Sequence, residues 1–274
     1  MGCELPNGIT YAVHHNKDRD AINTASYIKY LETFRTEDAI LIMSSDVQIQ
    51  DKILRDTQVF HSQCGESNTS TYSKSKVDPL LKLYPYCPVM LNENSDVRGG
   101  LANGSQATVQ GVELKMDATF QHVTFHGHVL KAVFASDVAS IRIKLLALQR
   151  LNEKKVVAKE STFCCQYPLP AEFQCGKKTR FKMKMKAKQL PMVSNTATTG
   201  HKLQGASKDN LYIPFWHYGT PNWPYVMISR VRTRFGLFIG EPLDPDKDYK
   251  LDSRITSMLR KFEAIAPDEY NHEY

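Results

Sequence analysis

No apolar run in this 274-residue chain approaches the roughly 20 residues needed to cross a bilayer, so a helical membrane span is excluded. The N-terminus has neither the apolar core of a secretory signal nor the Arg-rich pattern of a transit peptide. An intracellular protein is expected, nuclear in a eukaryote, with the mitochondrion as the alternative. Cysteine is sparse and irregularly spaced. Cys3, Cys64, Cys87, Cys164, Cys165 and Cys175 form no disulfide framework, and reduced thiols are expected. A zinc site from Cys164, Cys165 and Cys175 with His126 and His128 would lack the paired Cys-x-x-Cys knuckle, so no bound metal is expected. A Gly-rich loop able to cradle nucleotide phosphates is missing too. Its nearest approach, Gly176-Lys177-Lys178-Thr179, has Ala171 where the first Gly belongs and Lys178 at the hydroxyl position. Asp268-Glu269, the one adjacent Asp-Glu pair in that order, lies in a polar tail and not at the end of an apolar strand. A self-contained nucleotide-hydrolysing site is thereby excluded. There is no internal repeat.

With 42% hydrophobic and 23% charged residues the chain is able to fill one large core or two smaller ones, which excludes disorder throughout. The formal charge of +6 points toward an anionic partner without bearing on the fold. Ile9 to His15 is a short β-prone run. Asn16-Lys17-Asp18 then supplies turn and cap residues for a helix through about Phe34, with Ile22, Ala25, Ile28 and Leu31 on one face. Ala39 to Met43 is a continuous apolar run of the kind buried on both faces of a parallel sheet, so the opening reads β-α-β. From Ser62 to Asp78 the chain is rich in Ser, Thr, Asn and Gly and reads as a surface loop. Pro88 to Leu91 restarts ordered structure, and Asn103-Gly104 offers a turn between β-prone stretches. Ala107 to Leu114, Val129 to Phe134 and Val138 to Ile143 follow as short strands, an all-β insertion in the form of a small barrel. Near the end, a helix capped by Ser253 is expected with Ile255, Met258, Leu259 and Phe262 as its apolar side.

Arg180 to Lys188 alternates strictly. In a strand every Lys falls on one side and Phe181, Met183 and Met185 on the other. This pattern fits a half-buried strand with a solvated cationic face, Lys residues protecting a sheet edge, or Lys182, Lys184 and Lys186 in contact with nucleic-acid phosphates. Further on, Thr199-Gly200-His201-Lys202-Leu203-Gln204-Gly205 combines a hydroxyl, a ring donor and a point charge with two glycines that let a backbone approach closely. The set suits a phosphate; a polar strand-to-helix loop is the plainer reading. Tyr225 to Ile228 reads as a buried strand delivering Ser229 and Arg230 to its carboxyl end, where open α/β sheets bind ligands. Arg230 is either paired with a carboxylate there or aimed at a transferring phosphate. Arg232 and Arg234 read as a solvated or DNA-facing basic turn, with Gly236 releasing the chain into Leu237-Phe238-Ile239.

The pair Thr199 to Gly205 and Tyr225 to Leu237, in this order and spacing, resembles the fifth and sixth motifs of superfamily-one DNA helicases, in the petite-integration-frequency and RecD-like branch. The resemblance extends, less specifically, to Asn16 through Asn23, Pro88 through Ser105 and Gln189 through Met192. It implies an α/β fold: a RecA-like second motor domain, a parallel sheet with flanking helices, carrying an inserted small all-β barrel. The expected parts are 1–94 and 189–274 for the RecA-like domain and 95–188 for the barrel. The resemblance also implies that Thr199, His201 and Lys202 hold single-stranded DNA. By the same resemblance Arg230 completes an ATP site with Gln204 and Gly205, and Gln204 lies between hydrolysis and movement. Two residues depart from the pattern: Gly200 stands where an apolar residue is usual, and Leu203 where a small one is common.

On these grounds the chain is expected to be the C-terminal half of a 5′-to-3′ DNA helicase, with roles in DNA repair, recombination and telomere maintenance. Its partners are single-stranded DNA and an N-terminal RecA-like motor domain, and it is expected to be monomeric. ATP and Mg2+ belong to the complete motor, and this chain alone is expected to bind neither and to hydrolyse nothing. The competing expectation is a non-enzymatic single-strand-binding or adaptor protein derived from a helicase.

Overall fold

The computed structural model describes residues 5–6, 8–34, 36–49, 52–53, 80–146, 153–168, 180–220, 222–244 and 257. The stretch 62–78, Lys177, Lys178 and Cys175 lie outside these residues. So does the helix expected from Ser253, apart from Ser257, which is helical and exposed. In chain order the strands are β1 (Thr10–Val13), β2 (Ile40–Met43), β3 (Ser45–Ile49), β4 (Lys52–Ile53), β5 (Leu80–Leu83), β6 (Pro88–Leu91), β7 (Gln106–Leu114), β8 (Gln121–Phe125) and β9 (His128–Phe134). There follow β10 (Val138–Leu145), β11 (Lys154–Val156), β12 (Lys159–Pro168), β13 (Arg180–Gln189), β14 (Met192–Ser194), β15 (Ala197–Thr199), β16 (Leu211–Ile213) and β17 (Leu237–Ile239). The long helix α1 spans Asn16–Thr33. No described helix is long and apolar enough to cross a membrane. The chain divides into two compact units, Met1–His14 with Thr199–Tyr274, and His15–Thr198.

The larger unit is layered. Its middle sheet has the order β5-β2-β9-β8, with β2 parallel to β9 and antiparallel to β5. Alternate residues of a strand face opposite ways, and here both faces are covered. Ile42, Leu81, Leu83 and Val133 pack with Val89, Val109, Ile141 and Ile143 of the antiparallel sheet β11-β10-β7-β6-β14. Leu41, Met43, Leu130 and Ala132 pack with Tyr27 and Leu31 of α1. The continuous apolar run of β2 therefore reports two covered faces, as expected. The β-α-β order is also observed, but β2 lies in a sheet of mixed direction. The strands expected between 107 and 143 appear as β7, β9 and β10, and β7, β10 and β11 are antiparallel. The fold is thus mixed α/β with parallel strands.

The buried side of α1 keeps Leu31 and Ile28 of the expected face but is centred on Tyr27. Tyr27 and Leu31 are 1% and 3% exposed, whereas Ala25 is exposed. The larger aromatic area wins the core: Tyr27 meets Phe125 edge-on at 5.8 Å, and Tyr30 stacks on Tyr84 at 4.3 Å. One turn earlier Asn23, a poor helix former, is kept for another purpose. Its Nδ2 donates to the carbonyls of Ser194 and Ala197 at 3.0 and 3.3 Å, and its Oδ1 accepts from the Ala197 amide at 2.7 Å. The helix thereby holds the turn that runs into Thr199.

The third sheet of this unit has the order β12-β13-β3-β4. The strictly alternating segment is a strand, as expected, but β13 is flanked by β12 over its whole length and by β3 near its end. Pairing on both flanks from Met185 to Lys188 leaves no open edge for Lys186 and Lys188 to protect. At the described end Lys186 is exposed while Ala187 is 1% exposed. Gln189 anchors the register, donating to the Ile42 carbonyl at 3.3 Å and accepting from the Leu190 amide at 2.9 Å. Cys87 is a buried free thiol, and burial pushes it up to about 12.

Two substitutions separate these roles. Asn23→Ala leaves buried backbone groups at 194–197 without partners and is expected to cost about 1–3 kcal/mol, read as a lowered urea midpoint. Tyr27→Phe removes a buried hydroxyl that has no hydrogen-bond partner among the described residues. It is expected to leave the midpoint unchanged or raise it.

Candidate nucleotide and nucleic-acid interface

In the smaller unit β1, β16 and β17 lie side by side and parallel, Thr10 opposite Leu211 and Leu211 opposite Leu237. Parallel neighbours end together, so the residues after β1 and after β16 meet at one edge of the sheet, the ligand edge of open α/β folds. His14 follows β1 and His217 follows β16. Their rings stack at 3.4 Å, and His14 Nε2 lies 2.9 Å from Thr220 Oγ1. His201 stands 6.5 Å from His14, ring to ring. Sequence reasoning missed His14 and His217. They are more than 200 positions apart, and only the parallel pairing of β1 with β16 joins them.

Thr199, 7% exposed and extended, sits at the N-cap position of the short helix Gly200–Leu203 without a side-chain cap bond. His201, Lys202 and Gln204 are exposed, and Gly205 turns the chain at φ +77. Leu203 is fully buried with Ala12, Leu211, Ile213, Trp223 and Met227. At Gly200 the backbone runs close against the helix that follows. A Cβ there would lie 2.7 Å from Trp223 Nε1 and 2.9 Å from Met227 Cε. Gly200 thus lies where a side chain has no room, and Leu203 fills the core.

Tyr225 to Ile228 is not a strand. Trp223–Ile228 is a helix, led by Asn222 in the left-handed region and with Pro224 in its first turn. Trp223 and Met227 are buried four residues apart while Tyr225 and Ile228 are exposed, a period near 3.6. A short apolar run cannot distinguish this from a strand. Arg230 therefore leaves a helix end. Its Nε donates to the Val226 carbonyl at 3.2 Å and its Nη2 to Ser229 Oγ at 2.9 Å. The guanidinium is half-buried and meets no carboxylate among the described residues. Pairing with a carboxylate, the plainer reading of this arginine, is absent there. Arg232 by contrast pairs with Asp209 at 2.9 Å, and Arg234 lies 4.9 Å from the centre of the Phe235 ring.

The two motif segments are joined through Lys208. Its amide donates to the Arg230 carbonyl at 2.8 Å, its carbonyl accepts from the Arg232 amide at 3.0 Å, and it bridges Val231 in parallel. Burial pulls the Lys208 ammonium down to about 8, with Asp209 opposing the shift. Thr199, His201, Lys202, Gln204, Gly205 and Arg230 all fall in this unit, whereas Lys182, Lys184 and Lys186 fall in the larger one.

No family model and no curated relative matches the sequence. Among solved structures the chain is similar to Bacteroides Pif1 bound to ssDNA, with a TM-score of 0.56 and 17% identity over 97% of this chain and 48% of that one. It is similar to Bacteroides Pif1 helicase in complex with ADP-AlF3 and ssDNA, with a TM-score of 0.57 and 18% identity over 96% of this chain and 47% of that one. It is also similar to Pif1 helicase from Candida albicans, with a TM-score of 0.56 and 15% identity over 97% of this chain and 52% of that one. The chain thus spans about half the length of these helicases, and at such identities the likeness is one of fold.

Gly200→Ala is expected to destabilise the smaller unit by about 1–3 kcal/mol, since a rigid indole must move; thermal unfolding reads this. Lys208 sets a pH dependence. Its folded value of about 8 lies below the ordinary 10.5, so the unfolded chain binds more protons between the two, and stability rises with pH across that window. Lys208→Met is expected to flatten the rise in denaturant midpoints measured from pH about 8 to about 10.5.

Proposed function

We propose that this chain supplies the single-strand grip and the arginine side of the ATP site of a 5′-to-3′ DNA helicase. In this reading the smaller unit belongs to a RecA-like motor domain, and 95–188 holds the inserted β-barrel. The N-terminal RecA-like motor domain supplies the phosphate loop and the magnesium ligands. Arg230 carries the proposal: a half-buried guanidinium, held by Val226 and Ser229 and meeting no carboxylate among the described residues, in the same compact unit as Thr199 to Gly205. Such a group fits a nucleotide phosphate, which a planar guanidinium fork recognises.

The bound nucleotide would supply the phosphoryl group whose transfer to water drives movement. Arg230 would neutralise charge on that group. Thr199, His201 and Lys202 would hold the DNA backbone, with Lys182, Lys184 and Lys186 as further cations. Gln204 and Gly205 lie in the chain between grip and arginine, and the Lys208 bridge ties that stretch to Arg230. Displacement of one would therefore reach the other through backbone. The fold likeness to Pif1 helicases solved with ssDNA and with ADP-AlF3 supports the reading.

Purified alone with magnesium and ATP, the chain is expected to hydrolyse nothing. Joined to an N-terminal RecA-like motor domain it is expected to turn over, and Arg230→Ala there should lower kcat by roughly 10³–10⁵. Hydrolysis by the isolated chain would refute the divided site. Tight single-strand binding with no hydrolysis in the joined protein would favour the adaptor instead.

A further inference from the structure

Three imidazoles gather at one edge of the sheet in the smaller unit. His14 follows β1, His217 lies beyond β16, and His201 stands in the short helix after β15. His14 and His217 are half-buried, and His201 is exposed. The first two rings stack at 3.4 Å with 18° between their planes, and a ligand nitrogen of each lies within 4.8 Å of one on the other. His201 is 6.5 Å from His14, ring to ring. Two imidazoles on one tetrahedral zinc have their nitrogens about 3.3 Å and their ring centres about 5 Å apart, given Zn–N bonds of about 2.0–2.1 Å. The stack must therefore open and His201 swing inward, each by less than about 2 Å. The broad χ2 of histidine allows turns of that size.

The surroundings suit a ligand set. Thr220 Oγ1 lies 2.9 Å from His14 Nε2. Ligating imidazoles are held in this way, by an outer partner on the second ring nitrogen that fixes the ring and its tautomer. On that arrangement Nδ1 is the nitrogen His14 turns to a cation. Behind the rings stands an apolar wall: Trp223, 4% exposed, meets His14 edge-on at 6.0 Å and His217 at 6.4 Å, with Trp216 edge-on to Trp223. Such a shell limits solvent access and strengthens the bonds to an ion. The donors are all nitrogen, which excludes Mg2+ and Ca2+, cations that take oxygen.

We propose that His14, His217 and His201 bind a divalent transition metal, Zn2+ or the imidazole-preferring Ni2+ and Cu2+, with water in the fourth position. The ion joins the ends of β1 and β16 to the helix after β15. It is a different set from the Cys164, Cys165 and Cys175 group with His126 and His128, since all of those residues belong to the larger unit. The site goes beyond the helicase reading and does not depend on Arg230 reaching a nucleotide.

The test is calorimetric titration of the full chain, free of any polyhistidine tag, with Zn2+ at neutral pH. A second readout is quenching by Ni2+ of tryptophan fluorescence, which comes from Trp216 and Trp223 alone. One Zn2+ per chain is expected, with quenching of both indoles by Ni2+ and a raised thermal midpoint in excess Zn2+. Thr220→Val keeps every ligand and is expected to weaken binding about 10–100-fold. His14→Gln with His217→Gln should abolish it at the same concentrations. His126→Gln with His128→Gln removes as many imidazoles from the larger unit and should change nothing. Zn2+ retained by the His14 and His217 double variant belongs to other donors and overturns the proposal, as does an equal loss in the His126 and His128 control. If the double variant fails to fold, Thr220→Val decides alone, and unchanged affinity there also overturns the site.

Discussion

The backbone bridge between Lys208 and Val231 is the constraint on which the candidate site depends. Arg230 follows a helix of six residues, too short to be stable by its own hydrogen bonds. What places it is the pair of bonds from Lys208, three residues beyond Gly205, to the carbonyl of Arg230 and from the amide of Arg232. The same small core receives Leu203 from one motif and Trp223 and Met227 from the other, and Gly200 lets the two short helices touch. The strands here are three or four residues long, so each contact is a large share of what holds the unit. Elements with few buried contacts open at low free energy.

The larger unit is held differently. Its middle sheet divides its side chains between a helix on one face and an antiparallel sheet on the other, and such two-sided burial leaves little freedom of register. Polar residues inside it have assigned partners where they matter to the path of the chain. Asn23 fixes the turn at 194–197, and Gln189 ties the end of β13 to β2.

Charge is distributed with the same economy. Glu113 gathers Lys155 at 2.7 Å, Ser140 at 2.6 Å and Arg142 at 3.5 Å. These partners hold its carboxyl below the usual range, the Lys155 hydrogen bond contributing most. Arg142 also reaches Glu153 at 3.0 Å, and Arg232 is matched by Asp209. Against these pairs the guanidinium of Arg230, which meets no carboxylate among the described residues, stands out.

The amino-acid order alone determined the strands with strict alternation or a continuous apolar run, the extent of α1, and the two motif segments with Arg230 among them. Local periodicity and turn chemistry are written in neighbouring residues and need no partner to be read. It could not decide whether Tyr225 to Ile228 is helix or strand, since four apolar residues satisfy both periods until Trp223 and Met227 find a common core. Nor could it place Tyr27 over Ala25, set β13 in the middle of a sheet, or bring His14 against His217. Those outcomes depend on which strands become neighbours, and pairing between segments 30 to 200 residues apart is chosen by the packing of the whole unit, not by any local signal.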